Sequence, residues 1–201
     1  MTKENVVLMK EARETLAGKW MFAIGVFFLY MLITVAVKSP HKVGSLLSLL
    51  ISGPMLVGLC TFSLAFSRRQ EATVSQLFVG FHEFGRALWT YVLMVIFILL
   101  WTLLLIVPGI IAGLAYSQTF FILSEDKSIS ARDALKKSKA LMQGNKKKLF
   151  FLGLRFFGWL LLSILTLGIG LLWLMPYVQI TMAKFYDDIS TPSVPENVVS
   201  Q

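Results

Sequence analysis

Residues Leu149–Asp188 are the stretch that most limits what this chain can become: LFFLGLRFFGWLLLSILTLGIGLLWLMPYVQITMAKFYDD. These forty residues are apolar almost throughout, enter after Lys146-Lys147-Lys148 and leave at Asp187-Asp188. One helix of that length would extend about 60 Å, twice a hydrocarbon core of roughly 30 Å. The stretch must fold back, and Thr166–Gly170, with its two glycines, is where the backbone turns most freely. A transmembrane helical hairpin is expected, turning at Gly168 and Gly170. Both of its ends lie on the basic side, with Lys146, Lys147 and Lys148 as topology anchors.

The remainder of the chain follows the same plan. Of its 201 residues 56% are hydrophobic and 15% charged, against roughly 45–50% and 25% in a soluble domain. The excess lies in long unbroken blocks, which is a membrane signature. A net charge of +8 does not imply nucleic acid as a partner. The lysines and arginines gather at the ends of apolar blocks, where they orient helices and meet anionic lipid headgroups. The single cysteine, Cys60, excludes an internal disulfide and reads as a small buried residue. The first apolar block, Trp20–Val37, is longer than a signal-peptide core and follows a mixed-charge segment, so a retained helix is expected.

Residues 4–17 place Leu8, Met9, Ala12 and Leu16 on one helical stripe, predicting an amphipathic surface helix before the first membrane helix. After a break at Lys38–Lys42, a second membrane helix covers 43–66, bent or turned near Gly53-Pro54. Arg68 and Arg69 are the next topology anchors. Thr73 and Gln76 match a capping box ahead of a second surface helix that ends at Gly85-Arg86. Leu88–Leu123 reads as a hairpin of helices 88–107 and 110–123, turning at Pro108 and Gly109. Ser130 and Asp133 cap a third surface helix whose narrow apolar face is Ala131, Ala134, Leu135, Ser138 and Met142; Gly144 closes it.

A shift of 61 residues lays the last hairpin on the middle one, matching Gly109 with Gly170, Tyr116 with Tyr177, Gln118 with Gln179 and Asp126 with Asp187. A shift of 55 relates Gly53–Leu59 to Pro108–Leu114. The expected fold is thus an all-α polytopic membrane protein. Six transmembrane helices form three hairpins, each preceded by a short amphipathic surface helix. They make one domain over 1–188, with repeats near 4–69, 72–126 and 130–188, and a disordered cytoplasmic tail over 189–201. Sixteen of the nineteen Lys and Arg residues then fall on the side of the N-terminus. That side is cytoplasmic by the positive-inside rule, with both termini there.

Arg155 lies within an apolar block, where it either snorkels to the interface or meets a lipid phosphate, substrate or acidic partner. Tyr116, Gln118 and Thr119, Tyr177, Gln179 and Thr181, and Thr61 with Ser63 put polar groups midway through the fourth, sixth and second membrane helices. They either bond between helices or converge on a polar cavity. His41 and His82 are expected on opposite sides, and His82-Glu83 lacks the second histidine of a zinc-protease helix. No phosphate loop, nucleophile set or intramembrane carboxylate occurs. No catalytic activity, metal or cofactor is expected.

Gly53-Pro54, Leu77-Phe78 with Gly80-Phe81, Phe84–Leu88, Leu105–Ile111, Tyr116-Ser117, Ala131–Leu135 with Ser138, Met142 and Gly144, Gly158-Trp159, and Leu165–Trp173 with Pro176-Tyr177 together resemble a bacterial integral-membrane family known as domain of unknown function 975. The resemblance runs to Asp188, although Lys147 and Lys148 stand where the family often has tryptophan or an acidic residue. More distantly the chain is similar to membrane domains found beside glycerophosphodiester phosphodiesterases, which implies a lipid or envelope context without an active site. The resemblance implies the bacterial cytoplasmic membrane and this architecture, but no reaction. The expected role is non-enzymatic, in envelope or lipid homeostasis or as an export accessory, with anionic headgroups and a membrane protein as partners. A small transporter or lipid-moving protein is the alternative, and immunity to membrane-active peptides a third.

Overall fold

A computed structural model describes residues 3–37, 42–166 and 168–191, excepting the side chains of 42–46. Nine α-helices and one 3-10 helix make up the fold, with no strand among the described residues. In chain order these are α1 (Asn5–Leu16), α2 (Trp20–Val37), α3 (Lys42–Ser67), the 3-10 helix Val74–Phe81, α4 (Phe84–Leu104), α5 (Ile106–Tyr116), α6 (Thr119–Glu125), α7 (Ala131–Leu141), α8 (Lys146–Leu165) and α9 (Leu171–Ser190). The break expected at Lys38–Lys42 and the tail from residue 192 fall largely outside the described residues.

Among the described residues, five segments are long and apolar enough to cross a membrane: Trp20–Val37, Leu47–Ser67, Phe84–Leu104, Ile106–Glu125 and Lys146–Leu165. Their outward faces are apolar, with Leu103 87% and Leu165 83% exposed, which fits a multi-pass membrane protein rather than a surface made for water. The sixth long helix, α9, carries Lys184, Asp187 and Asp188 near its C-terminal end and is not one of the five.

Several boundaries differ from the sequence expectation. The turn expected at Pro108-Gly109 falls instead at Leu105, whose backbone is extended (φ −163°, ψ 147°). Pro108 is the third residue of α5, where a helix has no use for a backbone N–H, so it starts that helix rather than breaking one. Gly109 is a contact point, since a Cβ there would lie 2.3 Å from Thr102 Oγ1 on α4. The segment then jogs at Ser117 and Gln118, where the Ser117 and Thr119 hydroxyls donate to Leu114 and Tyr116 carbonyls. Helix α3 runs straight through Gly53-Pro54 without a turn. Gly85 and Arg86 open α4 instead of closing a surface helix. Asp187 and Asp188 do not end α9, and neither does the tail begin at Ile189. Asp187 O accepts from Thr191 Oγ1 (2.7 Å) and N (3.2 Å), extending the helix to Ser190.

The three amphipathic segments are not free surface helices. Helix α1 buries Leu8, Ala12 and Leu16 and packs on α9; the 3-10 helix packs on α3; α7 buries Ala131, Ala134 and Leu135 and packs on α6, α4 and α5. The second and third thus lean on a helical segment that ends just before them in the chain, and the first closes onto the last. Capping fixes where two of them start. Thr73 N donates to Gln76 Oε1 (3.3 Å), and Ser130 Oγ accepts from Asp133 N (3.2 Å).

The tightest contact is that of the 3-10 helix with α3. A Cβ on Gly58 would lie 1.9 Å from Leu77 O, and one on Gly80 2.1 Å from Pro54 O. Gly80 therefore meets α3 thirteen residues before its end at Ser67, about 20 Å along the axis. Gly58→Ala and Gly80→Ala should each force backbone apart and cost about 1–3 kcal/mol. Gly153→Ala in α8, where nothing lies within 4 Å, should be neutral or slightly stabilising. Thermal melts in detergent, followed by circular dichroism, check the contrast.

Candidate functional site

The ends of α3, α6 and α9 meet in a polar junction. Arg68, just past α3, donates Nε and Nη2 to Asp187 Oδ1 (3.1 and 2.8 Å) and Nη2 to Glu125 Oε1 (2.6 Å). Tyr186 Oη donates to Glu125 Oε2 (2.6 Å), Ser67 Oγ to Asp187 Oδ2 (3.3 Å), and Lys184 Nζ to Ser67 O. Burial pushes the Arg68 pKa down, but its hydrogen bonds and charge contacts with Asp187 and Glu125 outweigh this and hold it above the ordinary value. Arg86 performs a related task one layer away. It pairs with Glu83 and donates to the carbonyls of Leu123, Asp126 and Ile129, closing the C-terminal end of α6. Hydrogen bonds from the Ser128 hydroxyl and backbone hold the Asp126 carboxyl below its usual range.

A second junction ties α8 to α9 and to the N-terminal segment. Lys148 Nζ lies 2.6 Å from Asp188 Oδ2 and 5.3 Å from the Phe185 ring centre. Lys3 N donates to Asp188 Oδ1 (2.9 Å), and Asn5 Nδ2 to Lys148 O (2.8 Å). The expected topology anchors therefore divide. Arg68, though exposed, and Lys148 are ion-paired to α9, whereas Arg69 and Lys147 are exposed with no ion pair among the described residues and Lys146 is half-buried. Arg69 stands at φ +56° directly after α3, where Gln70 N donates to Ala65 O in a turn that usually takes glycine. Nothing in the sequence marks that position.

The polar residues midway through the membrane helices, expected either to bond between helices or to converge on a cavity, mostly bond within their own helical segments. Thr61, Ser63, Thr119 and Thr181 each return their hydroxyl to a carbonyl of their own helical segment. Gln118 is fully buried, donating to Ser117 Oγ (3.1 Å) while its Oε1 has no partner. Gln179 reaches only Cys60 Sγ, at 4.0 Å. Tyr116 packs on Phe97 and Tyr177 on Phe156, with ring centres 6.0 and 5.4 Å apart. Arg155 is exposed on the outward face of α8 beside Phe151 and Leu154, away from the other polar groups. Gly168, at φ +86°, sits in the turn from α8 to α9, and Gly170 follows, 2.8 Å (as a Cβ) from Ser163 Oγ.

The cavities around this core include a cleft, a smaller cavity and a lateral groove. A cleft of about 880 Å³ at the α1–α2 turn is lined by Thr15, Lys19, Trp20, Phe66, Arg69 and Thr73. A hydroxyl-rich cavity of about 310 Å³ lies between α2, α3 and α4, among Tyr30, Thr34, Ser48, Ser52 and Tyr91. A lateral groove of about 490 Å³ runs between Trp20, Trp159 and Trp173. Among the described residues no three His, Cys, Asp or Glu side chains are grouped to hold a metal ion, and His82 is exposed. The basic cleft was not foreseen from sequence, because its residues come from three separate segments.

Residues 102–193 match the family described as "Protein of unknown function (DUF975)". Comparison with curated proteins and with solved structures gave no match, so the similarity to phosphodiesterase-associated membrane domains gains no support.

The two lysines at the start of α8 separate an internal role from an anchoring one. Asp188 is 7% exposed at its side chain, so Lys148→Gln should leave a buried carboxylate short of its counter-charge and cost about 3 kcal/mol. Lys147→Gln, on an exposed side chain, should change the melting temperature little.

Proposed function

We propose that this chain is a non-enzymatic protein of the bacterial cytoplasmic membrane whose basic cytoplasmic face engages anionic lipid. Its role would lie in envelope or lipid homeostasis or in support of export. In this reading α9 is a sixth span, both termini are cytoplasmic, and the chain is built from three related units. The packing of α1 on α9, the 3-10 helix on α3 and α7 on α6 supports the threefold plan. For α9, Lys184, Asp187 and Asp188 are all engaged at one end, leaving Leu171–Ala183 uncharged, about 20 Å of helix.

One observation carries the functional reading. Helix α7 is held by a buried inner face, while Arg132, Lys136, Lys137 and Lys139 all project from its exposed side. Each such cation near an anionic membrane surface contributes about 1 kcal/mol of attraction. The helix is thus a rigid basic platform fixed to a membrane-spanning frame. The lipid-moving or transport alternative has a weaker footing, since the hydroxyls of Thr61, Ser63, Thr119 and Thr181 are turned back on their own helical segments.

Two measurements test the proposal. In a Cys60→Ser background, cysteines at Lys139 and Lys147 should react with an impermeant thiol reagent only from the cytoplasmic side, and a cysteine at Leu104 should not; labelling of Lys139→Cys from outside overturns the orientation. Reconstituted protein should show no lipid scrambling or solute flux above empty liposomes. Flux that disappears in Gln118→Leu/Gln179→Leu would establish the transport alternative instead.

A further inference from the structure

The lateral groove bounded by α1, α2, α8 and α9 is, we propose, a seat for a single anionic phospholipid, with its phosphate on Arg13 and an acyl chain along Trp159 and Trp173. The proposal rests on the preceding reading only in placing the groove within a membrane.

The groove has the size of a ligand site, about 490 Å³, and Arg13 is the one charged residue that lines it among the described residues. The acids nearest Arg13 on its own helix are engaged elsewhere: Glu11 with Lys3 at 2.6 Å and Glu14 with Lys10 at 4.0 Å. Arg13 has no ion pair among the described residues. A guanidinium fork at the mouth of an apolar groove suits a phosphate oxygen pair. Two hydroxyls in its lining make no demand on an occupant. Ser163 Oγ donates to Trp159 O (2.8 Å) and Thr166 Oγ1 to Ser163 O (2.9 Å), so both hydroxyl protons are already used.

The walls say where the occupant comes from. Trp159 and Trp173 are about half exposed, and Leu162 and Leu165 beside them are 58% and 83% exposed. The groove therefore opens sideways through an apolar face, where the surroundings are acyl chains rather than water. Trp20 lines both this groove and the cleft that holds Lys19, Arg69 and Glu71, so two further cations and one acid adjoin the groove. From Tyr177 to Gly170 the groove follows seven residues of α9, about 10 Å, which accommodates part of one chain. A zwitterionic choline headgroup would bring its own cation toward Arg13, so net negative lipid is favoured.

The test uses the full chain with Trp89→Phe and Trp101→Phe, which leaves Trp20, Trp159 and Trp173 as the fluorophores. It is placed in phosphatidylcholine nanodiscs doped with dibrominated phosphatidylglycerol or dibrominated phosphatidylcholine. Quenching should report a preference for phosphatidylglycerol on the order of fivefold. Arg13→Gln should abolish it, Arg13→Lys should keep much of it, and Lys136→Gln/Lys137→Gln/Lys139→Gln should leave it intact. Equal quenching by the two lipids in the parent protein overturns the proposal, and this arm needs no folded Arg13 variant. Loss of preference in the α7 triple variant but not in Arg13→Gln also overturns it, while leaving the basic-platform reading standing. Conversely, thiol labelling that puts α7 outside the cytoplasm would sink that reading without altering the Arg13-dependent quenching.

Discussion

Helix α3 can pack against α1, α2, the 3-10 helix, α4, α6 and α9 because it lacks side chains where its neighbours press hardest. At Gly53 the backbone of Ala87 from α4 comes within 2.5 Å of where a Cβ would be, and at Gly58 the backbone of Leu77 comes within 1.9 Å. In a bilayer such contacts matter more than apolar burial. Lipid tails solvate leucine as well as a neighbouring helix does, so association depends on close packing and on polar groups finding partners. The glycines of α3 supply the first of these. A glycine of the 3-10 helix completes the contact, Gly80 fitting against the Pro54 carbonyl of α3.

The polar junctions supply the second. Arg68, Glu125, Tyr186 and Asp187 join three helix ends, and Lys148 and Asp188 join α8 to α9 with Lys3 bound on. A carboxylate or guanidinium near the membrane boundary is costly alone, but the network satisfies each with charged hydrogen bonds. The fold is therefore closed at one end by ion pairs and held along its length by glycine contacts, while its opposite end presents bare apolar turns around Leu103–Val107 and Leu165.

Much of this was legible in the sequence, for reasons that depend on range. Trp20–Val37, the α7 cap at Ser130 and the α8–α9 turn at Gly168 are set by residues close in the chain, and pattern reading places them well. Pro108-Gly109 misleads, because the same pair serves a helix start as readily as a turn, and what decides is Thr102 pressing on Gly109 from the neighbouring helix. Charge composition also marks Arg68 and Lys148 as boundary residues without revealing their partners, Asp187 and Asp188, which lie 119 and 40 residues away. The spacing that matched Gln118 with Gln179 was real as sequence, yet helical phase sends the two side chains to different neighbours, Ser117 and Cys60.

A cation's role in this fold is decided by what it is packed beside. Of the basic residues near the start of α8, Lys148 is consumed by Asp188, whereas Lys147 is exposed. Of those around the α1–α2 turn, Lys3 and Lys10 are paired with Glu11 and Glu14, whereas Arg13 and Lys19 line cavities. Arg69 carries an additional cost, since it occupies a left-handed backbone position that glycine would fill with less strain, about 1 kcal/mol. Its side chain lines a cleft shared with Lys19, Trp20 and Glu71, so the strained backbone keeps a charge where a glycine would leave none.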